Sequence, residues 1–281
     1  MGRTTILAGV VLALAGCSRE RPLVVGSKNF TEQVILGEIV AQHLERRLGV
    51  PVERKLNLGG TLLAHQALTA GQIDVYPEYT GTALTAILKQ PISSDPAAVL
   101  ATVRGEYRQR WQLEWLEPLG FNNTFAMVVR GGAAATLSEA ASRKQGWRLG
   151  VGYEFITRPD GLDGLVKTYR LPLDGTPKSM DLGLLYKALE QGQVDMVAGN
   201  VTDGLIDAMK LTVLADDRAY FPPYYAALVA GPRALAIPGL KPALAELSGK
   251  FSDRAMRQLN YLVDGRHRPV RDVAREFLAA W

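Results

Sequence analysis

The chain carries the sequence ALTAGQIDV at residues 67–75 and a second copy of it, ALEQGQVDM, at residues 188–196. Five of the nine positions are identical, two more are conservative, and the copies lie 121 residues apart. Each copy has the pattern of a helix that ends at a glycine and is followed by a strand. A shorter pair, LVVG at 23–26 and LGVG at 149–152, precedes them in the same order. The repeat predicts two related α/β lobes, with a chance match of helix–glycine–strand units as the competing interpretation.

The residues around the first copy alternate between short β-branched runs and amphipathic stretches. Asn29, with Glu32 three residues later, has the spacing of a helix start, and apolar residues then follow helical spacing as far as Leu48. A second helix follows Gly60 and runs to Ala70. Strands are predicted at residues 23–26, 52–56 and 73–76. This βαβαβ order predicts a parallel sheet.

The length of the chain, 281 residues, also favours two lobes over one large core. We predict an α/β protein with residues 23–121 and 217–281 in the first lobe and residues 122–216 in the second. Two such sheets joined by crossing segments leave a cleft outside the carboxyl ends of the strands, where ligands bind in α/β proteins. The functional residues are therefore expected in that cleft.

The composition excludes several classes of function. Lys and Arg number 32 against 28 Asp and Glu, and the basic residues are scattered, which argues against a nucleic-acid partner. One cysteine and three widely separated histidines give no metal-ligand spacing, so no metal and no cofactor is expected. The sequence has neither the Gly-x-Ser-x-Gly turn of serine hydrolases nor a phosphate-binding loop. An enzyme is therefore not predicted.

The N-terminus predicts a leader and a lipid anchor. Arg3 precedes an apolar run that is too short to span a membrane, as in a secretory signal, and residues 14–17 read LAGC. This tetrapeptide resembles the bacterial lipobox, whose cysteine carries lipid in the mature protein. We predict a signal peptide at residues 1–16, lipid on Cys17, a tether at residues 17–22 and a location on the periplasmic or extracellular face of a membrane. The competing interpretation makes Cys17 a small apolar residue of the leader.

Aromatic and polar side chains follow the predicted strand ends. Tyr79 and Thr82 place a ring and a hydroxyl at a strand-to-helix turn, where backbone N–H groups favour an anion. Lys28 adds a cation, and Arg158 offers two parallel hydrogen bonds to a carboxylate. A quaternary ammonium must be held by ring faces such as that of Tyr224, because it has no hydrogen-bond donor. Together these residues predict a small zwitterion as the ligand.

Each candidate also has a purely structural interpretation. Tyr79 would cover the edge of a sheet, and Lys28 and Arg158 would be solvated surface charges. Phe125 would belong to the core, and Tyr224 would pack against a hinge because it follows two prolines. The sequence alone leaves both interpretations open.

Six motifs in order resemble the substrate-binding proteins of osmoprotectant ABC importers, which bind glycine betaine, choline, carnitine or proline betaine. The motifs are GSKNFTE at 26–32, YPEYTGT at 76–82, LGFNNT at 119–124, RPDG at 158–161, TDG at 202–204 and FPPY at 221–224. The resemblance covers residue 23 to the C-terminus. It implies a type II periplasmic-binding fold, a cleft that closes, a monomer, and delivery of ligand to a separate permease and ATPase.

The resemblance also assigns roles to residues. It implies that Lys28 and Arg158 hold the ligand carboxylate, with Thr82 as a hydroxyl donor. It implies that Tyr79 and Tyr224 belong to an aromatic box around the ammonium group.

Three positions depart from the family pattern. Asn200 and Phe125 stand where the family usually has tyrosine, and Asn123 stands where some members place an aspartate against the ammonium group. Because Asn200 can both donate and accept hydrogen bonds, we hypothesise a zwitterion other than glycine betaine, or glycine betaine bound weakly. The alternatives are an importer component for another zwitterion, such as ergothioneine or an amino acid, and a tethered sensory domain.

Overall fold

A computed structural model of the protein describes residues 21–280. The predicted signal peptide, Cys17 and residues 18–20 of the predicted tether lie outside the described residues. Within residues 21–280, no helix combines the length and the apolar composition needed to cross a membrane.

Two five-stranded sheets organise the described part of the chain. The strands are β1 (Leu23–Gly26), β2 (Val52–Lys55), β3 (Val75–Tyr79), β4 (Glu114–Asn122), β5 (Phe125–Val129), β6 (Leu149–Gly152), β7 (Lys178–Met180), β8 (Met196–Asn200), β9 (Thr212–Val213) and β10 (Tyr225–Ala230). Sheet A has the order β2-β1-β3-β10-β4, and sheet B has the order β7-β6-β8-β5-β9. In each sheet the first three strands of this order are parallel to one another. The fourth strand, β10 in sheet A and β5 in sheet B, pairs antiparallel with the third.

Helices cover both sheets. They are α1 (Thr31–Leu48), α2 (Thr61–Thr69), α3 (Thr80–Thr82), α4 (Pro96–Trp111), α5 (Leu137–Ala141), α6 (Tyr153–Thr157), α7 (Leu162–Tyr169), α8 (Leu182–Glu190), α9 (Leu205–Ala208), α10 (Pro232–Leu235), α11 (Leu240–Ala245), α12 (Asp253–Asp264) and α13 (Val270–Ala279). A π-helical turn, Ala83–Ile87, extends α3. Each sheet packs against helices on both faces, and successive side chains of a strand point to opposite faces. Val24 and Val25 of β1 therefore belong to two different hydrophobic clusters.

The repeat seen in the sequence is a structural repeat. Helices α2 and α8 begin 121 residues apart, and so do strands β3 and β8. The glycines that end the two helical segments, Gly71 and Gly192, have φ values of 65° and 69°, a left-handed conformation that other residues rarely adopt. The two lobes are therefore built from the same helix–glycine–strand unit.

The chain crosses between the sheets twice. Strand β4 of sheet A ends at Asn122, and the next strand, β5, begins at Phe125 in sheet B. After β9 the chain returns to sheet A, where it forms β10. Sheet A is thus built from two separate stretches of chain, whereas sheet B is built from one continuous stretch, residues 125–213. The predicted lobe boundaries, at residues 121/122 and 216/217, stay a prediction.

Two local expectations were wrong. Helix α1 begins at Thr31, after Phe30, and makes no side-chain cap, because the Glu32 carboxylate is turned towards the phenol of Tyr79. Strand β3 extends to Tyr79 instead of ending at Tyr76, because β10 pairs with it as far as Tyr79. Tyr79 is therefore the last residue of a strand and not part of a loop.

Candidate functional site

A cavity of about 350 Å³ lies between the two lobes, at the carboxyl ends of the parallel strands. All the ligand-binding candidates named from the sequence line it. They are Lys28, Tyr79, Thr82, Asn123, Phe125, Arg158, Asn200 and Tyr224. Their roles in binding stay predictions.

Both lobes and both crossing segments contribute to this cavity. Tyr79 ends β3 of sheet A, and Asn200 ends β8 of sheet B. Phe125 opens β5 and is the sheet partner of Asn200. Asn123 and Tyr224 lie in the two crossing segments, where the Asn123 N–H donates to the Tyr224 carbonyl at 3.0 Å. A ligand in this cavity would therefore touch both lobes and both crossing segments.

Two groups of aromatic rings form the apolar walls. Tyr79 stacks on Phe30 with ring centroids 6.2 Å apart. Phe125 packs edge-to-face on Tyr224, at 5.4 Å, and on Phe155, at 5.0 Å. Such arrangements hold the rings in fixed orientations around the cavity.

Lys28 is buried and is not a free cation. Its Nζ lies 2.5 Å from Oε1 of Glu78, and both side chains are almost fully buried. The ammonium group also lies 4.7 Å from the centroid of the Tyr79 ring. Glu78 accepts further hydrogen bonds from the Tyr76 phenol and the Tyr79 N–H. Lys28 therefore keeps hydrogens for a ligand, but its charge is balanced and it occupies one side of the Tyr79 ring.

Arg158 is paired in the same way. Its Nε and Nη2 donate to the two carboxylate oxygens of Asp160 at 2.9 and 2.6 Å. Asp160 also accepts from the Tyr224 phenol at 2.5 Å and from Thr85 at 2.8 Å. Burial alone would raise the pKa of Asp160, but Arg158 and these donors hold it below its usual range. Nη1 of Arg158 is 3.3 Å from the Thr82 hydroxyl of the opposite lobe.

Glu32 is a buried carboxylate that the sequence reasoning treated as a helix-start residue. Its Oε1 accepts from the Tyr79 phenol and from the Asn123 amide, each at 2.7 Å, and its Oε2 accepts from the Asn260 amide at 3.1 Å. Burial raises the pKa of Glu32 to about 7, although hydrogen bonds from Thr202, Tyr79 and Asn260 oppose the rise. Glu32 thus links the Tyr79 wall to the first crossing segment.

The backbone at Asn200 is held by a second carboxylate, that of half-buried Asp203. The Asn200 N–H donates to Asp203 at 2.8 Å, and the Tyr186 phenol donates to the same carboxylate at 2.6 Å. Burial raises the pKa of Asp203 to about 6. The Asn200 side-chain amide donates to the Asn123 carbonyl at 3.3 Å, and the residue lines the cavity.

The sequence reasoning missed several residues of this site. Glu32 and Glu78 hold the Tyr79 wall, Asp160 holds Arg158, and Glu154 lines the cavity from α6. The available signal was that the first three lie inside the motifs that carried the family resemblance. Within the described residues, no group of three or more His, Cys, Asp or Glu side chains is arranged to hold a metal ion.

Comparison with known proteins decides the family. Residues 21–280 match the family described as the substrate-binding domain of the ABC-type glycine betaine transport system, OpuAC. The chain belongs to this family. The predicted family and the predicted role as a substrate-binding component are confirmed, and the binding protein works with an ABC permease on the extracytoplasmic side of a membrane.

Relatives and solved structures agree with this assignment. The ergothioneine transport permease/ergothioneine binding protein EgtU of Helicobacter pylori (strain G27) is 35% identical over 92% of this chain, which spans 47% of that relative's length. The carnitine transport binding protein OpuCC of Listeria monocytogenes serotype 1/2a (strain 10403S) is 34% identical, with 94% of this chain and 88% of the relative covered. These relatives are named as transport proteins and not as enzymes.

The fold is confirmed in the same way. A crystal structure of a glycine betaine/carnitine/choline ABC transporter matches with a TM-score of 0.78 and 31% identity, covering 92% of this chain and 98% of that one. The binding protein therefore has the predicted type II periplasmic-binding fold.

Proposed function

We propose that the binding protein captures a small zwitterion with a quaternary ammonium group between its lobes and delivers it to an ABC permease. The charges that line the cavity carry this proposal. Lys28 and Arg158 are cations, and Glu154 and Asp181 are anions. A cavity that presents cationic hydrogen-bond donors as well as carboxylates suits a dipolar ligand, which carries a charge of each sign.

The inner end of the cavity suits the carboxylate. Thr82 and Nη1 of Arg158 lie together there, and the Lys28 ammonium group has more hydrogens than its bond to Glu78 uses. Because Glu78 and Asp160 balance the two cations, these groups act as oriented donors and do not demand a second negative charge.

The ammonium group would lie towards Tyr153 and Asp181. Both residues line the cavity and are exposed, whereas the rings of Phe125 and Tyr224 lie 5.1 and 5.9 Å from the Arg158 guanidinium group. Ring faces and carboxylates attract a quaternary ammonium without needing a donor from it. The two ends of the cavity thereby fix the direction of a bound zwitterion.

Asn200 favours a ligand that carries a hydrogen-bonding group as well as the methylated nitrogen. It replaces the ring that the family resemblance implies at this position, and it lines the ligand cavity and a second interlobe cavity of about 580 Å³. The names of two relatives point to carnitine and ergothioneine, which are both larger than glycine betaine. We propose this larger class as the preferred ligand.

Calorimetric titration of the purified protein tests the proposal. Carnitine or ergothioneine should bind most tightly, glycine betaine more weakly, and choline, which lacks a carboxylate, more weakly than glycine betaine. Equal binding of choline and glycine betaine would remove the assigned role of Lys28 and Arg158. The absence of binding by all four compounds would overturn the proposed ligand class.

Delivery would use an apolar surface at the mouth of the cavity, which we call the apolar rim. Six of the eight exposed large hydrophobic side chains within residues 21–280 lie in α2, α6 and α8, beside the cavity. They are Leu62, Leu63, Tyr153, Ile156, Leu182 and Leu184. Apolar side chains concentrated on one face indicate a protein interface. We propose that this rim contacts the permease.

A transport assay separates this role from ligand binding. Leu184 lies in the apolar rim but does not line the cavity. Leu184→Glu should therefore reduce the uptake of ligand by cells and leave the affinity of the purified protein for ligand unchanged. Val50→Glu, at an exposed valine outside the rim, is the control. Equal uptake by both variants would argue against the rim.

Anchoring rests on the sequence alone. We propose that Cys17 carries lipid and that the protein is a monomer on the outer side of the membrane. Cys17→Ala should release the protein from the membrane fraction, and light scattering of the released protein should give the mass of one chain.

A further inference from the structure

One contact joins the two lobes at the mouth of the cavity. Oε1 of Glu154, in α6, accepts a hydrogen bond from the backbone N–H of Thr61 at 2.7 Å. Oε2 of Glu154 accepts from the Thr61 hydroxyl at 3.0 Å. Thr61 is the first residue of α2, so a carboxylate of one lobe binds the start of a helix in the other.

Helix α2 has no cap from its own chain neighbours. Its N-cap residue is Gly60, which has no side chain to satisfy the free N–H groups of the first turn. Side-chain oxygens normally do this, and negative charge is favoured at this end of a helix. The Glu154 carboxylate supplies both the acceptor oxygens and the negative charge from the other lobe.

The structural repeat shows what is unusual about this arrangement. The position equivalent to Gly60, 121 residues later, is Asp181, which is the N-cap of α8. Asp181 accepts a hydrogen bond from the Gly183 N–H at 3.0 Å and so caps α8 within its own lobe. The two copies of one helix differ in where the cap comes from.

Gly60 is needed for close approach and not for its backbone conformation. Its φ of −74° and ψ of −174° are open to any residue. A Cβ atom at this position would lie 2.2 Å from Oε1 of Glu154 and 3.0 Å from its carboxyl carbon. Any side chain at residue 60 therefore competes with Glu154 for the same space.

We propose that Glu154 is a positioning residue that latches the closed lobes by capping α2 from the opposite side of the cleft. The latch forms only when the lobes meet, so it adds stability to the closed state alone and shifts the opening equilibrium towards it. This inference rests on the proposed function, since closure matters because it retains the ligand. Glu154, Thr61 and Gly60 all line the cavity, so the latch also seals its mouth.

Ligand-release kinetics test the latch. Glu154→Ala should raise the dissociation rate of carnitine about tenfold, and the association rate should not fall, because loss of the contact favours the open state that admits the ligand. The melting temperature of the ligand-free protein should fall by only about 2 to 4 °C, as expected for the loss of one helix cap. An unchanged dissociation rate would overturn the proposal.

Variants at residue 60 test the repeat comparison. Gly60→Asp should give α2 its own cap and exclude Glu154, so that ligand-free stability is kept or increased while dissociation becomes faster. Gly60→Ala should also speed dissociation. Gly105→Ala is the matched control, because Gly105 lies in helix α4 and has no atom within 4 Å of an added Cβ. Wild-type release from both Gly60 variants would contradict the latch.

A double-mutant cycle separates the latch from a direct contact between Glu154 and the ligand. Thr61→Val removes the hydroxyl that donates to Oε2. If the two residues act through each other, the loss in Glu154→Ala/Thr61→Val should be smaller than the sum of the single losses. Additive losses would assign Glu154 to the ligand and overturn the latch.

Scattering of the ligand-free protein keeps this test apart from the proposed function. Loss of the latch should increase the radius of gyration in Glu154→Ala relative to the wild type. If none of the candidate ligands binds, the proposed function fails but this comparison still decides the latch. Identical scattering curves would then overturn it.

Discussion

Tyr79 and Asn200 end equivalent strands of the two lobes and line the same cavity. They are related by the 121-residue repeat, so the duplicated scaffold presents a phenol from one side and an amide from the other. The Tyr79 phenol donates to buried Glu32, and the backbone N–H of Asn200 donates to half-buried Asp203. Each half of the repeat thus uses a carboxylate to hold the end of its strand beside the cavity.

Replacing the amide by a ring should strengthen the binding of fully methylated ammonium groups. We expect Asn200→Tyr to bind glycine betaine more tightly by about 0.5 to 2 kcal/mol, the usual value of one cation–π contact. Titration calorimetry at constant pH measures this. Asn200→Phe is the control that separates the ring from its hydroxyl, and weaker binding by both variants would show that the ligand uses the amide.

The raised pKa of Glu32 predicts how stability depends on pH. The unfolded chain titrates near 4.5 and the folded protein near 7, so this group's stabilising contribution is present below pH 4.5 and is lost as the pH rises through 7. The full loss is about 3 kcal/mol. Glu32→Gln should remove this dependence, which urea unfolding between pH 5 and 8.5 measures.

The control for Glu32 is a carboxylate in a surface ion pair. Glu106 pairs with Arg110 on α4, and Glu106→Gln should change the free energy of unfolding by less than about 1 kcal/mol. If Glu32→Gln and Glu106→Gln gave the same profile, Glu32 would not titrate near neutral pH in the folded protein.

The fold followed from the sequence because its signals are local and repeated. The helix–glycine–strand unit needs a residue in the left-handed conformation after each helix. The glycines at residues 71 and 192 meet this need, so the end of each helix could be predicted from the sequence. The end of β3 was not visible, because Tyr79 is held in the strand by β10, which lies about 150 residues later in the chain. Pairing partners of that kind are absent from any local window.

The site was predicted as a set of residues but not as a set of contacts. Lys28 and Arg158 were expected as available cations, whereas each is balanced by a buried carboxylate, Glu78 or Asp160. Glu78 lies 50 residues from Lys28, so only the folded chain brings them together. Burial of a cation requires such a partner, a rule that predicts that a partner exists but not which one.

The pairing of Arg158 changes the expected effect of removing it. Arg158→Ala leaves the Asp160 carboxylate buried without a cation, so the protein should lose about 3 to 5 kcal/mol of stability as well as affinity. Arg158→Ala/Asp160→Asn should recover part of the stability but not the affinity, as measured by thermal unfolding and calorimetry. Equal stability of Arg158→Ala and the wild type would show that the pair contributes nothing to folding.

Tyr79 holds Glu32 and is predicted to contact the ligand, and two substitutions can separate these roles. Tyr79→Phe keeps the ring beside the Lys28 ammonium group, but it removes the donor to Glu32, so the pKa of Glu32 should rise further. The pH at which stability falls should shift upwards, while ligand affinity at low pH stays within about twofold of the wild type if the ring is what the ligand contacts. Tyr79→Ala should weaken binding at every pH because the wall itself is lost. Equal affinity of Tyr79→Ala and the wild type would mean that the ligand does not reach this side of the cavity.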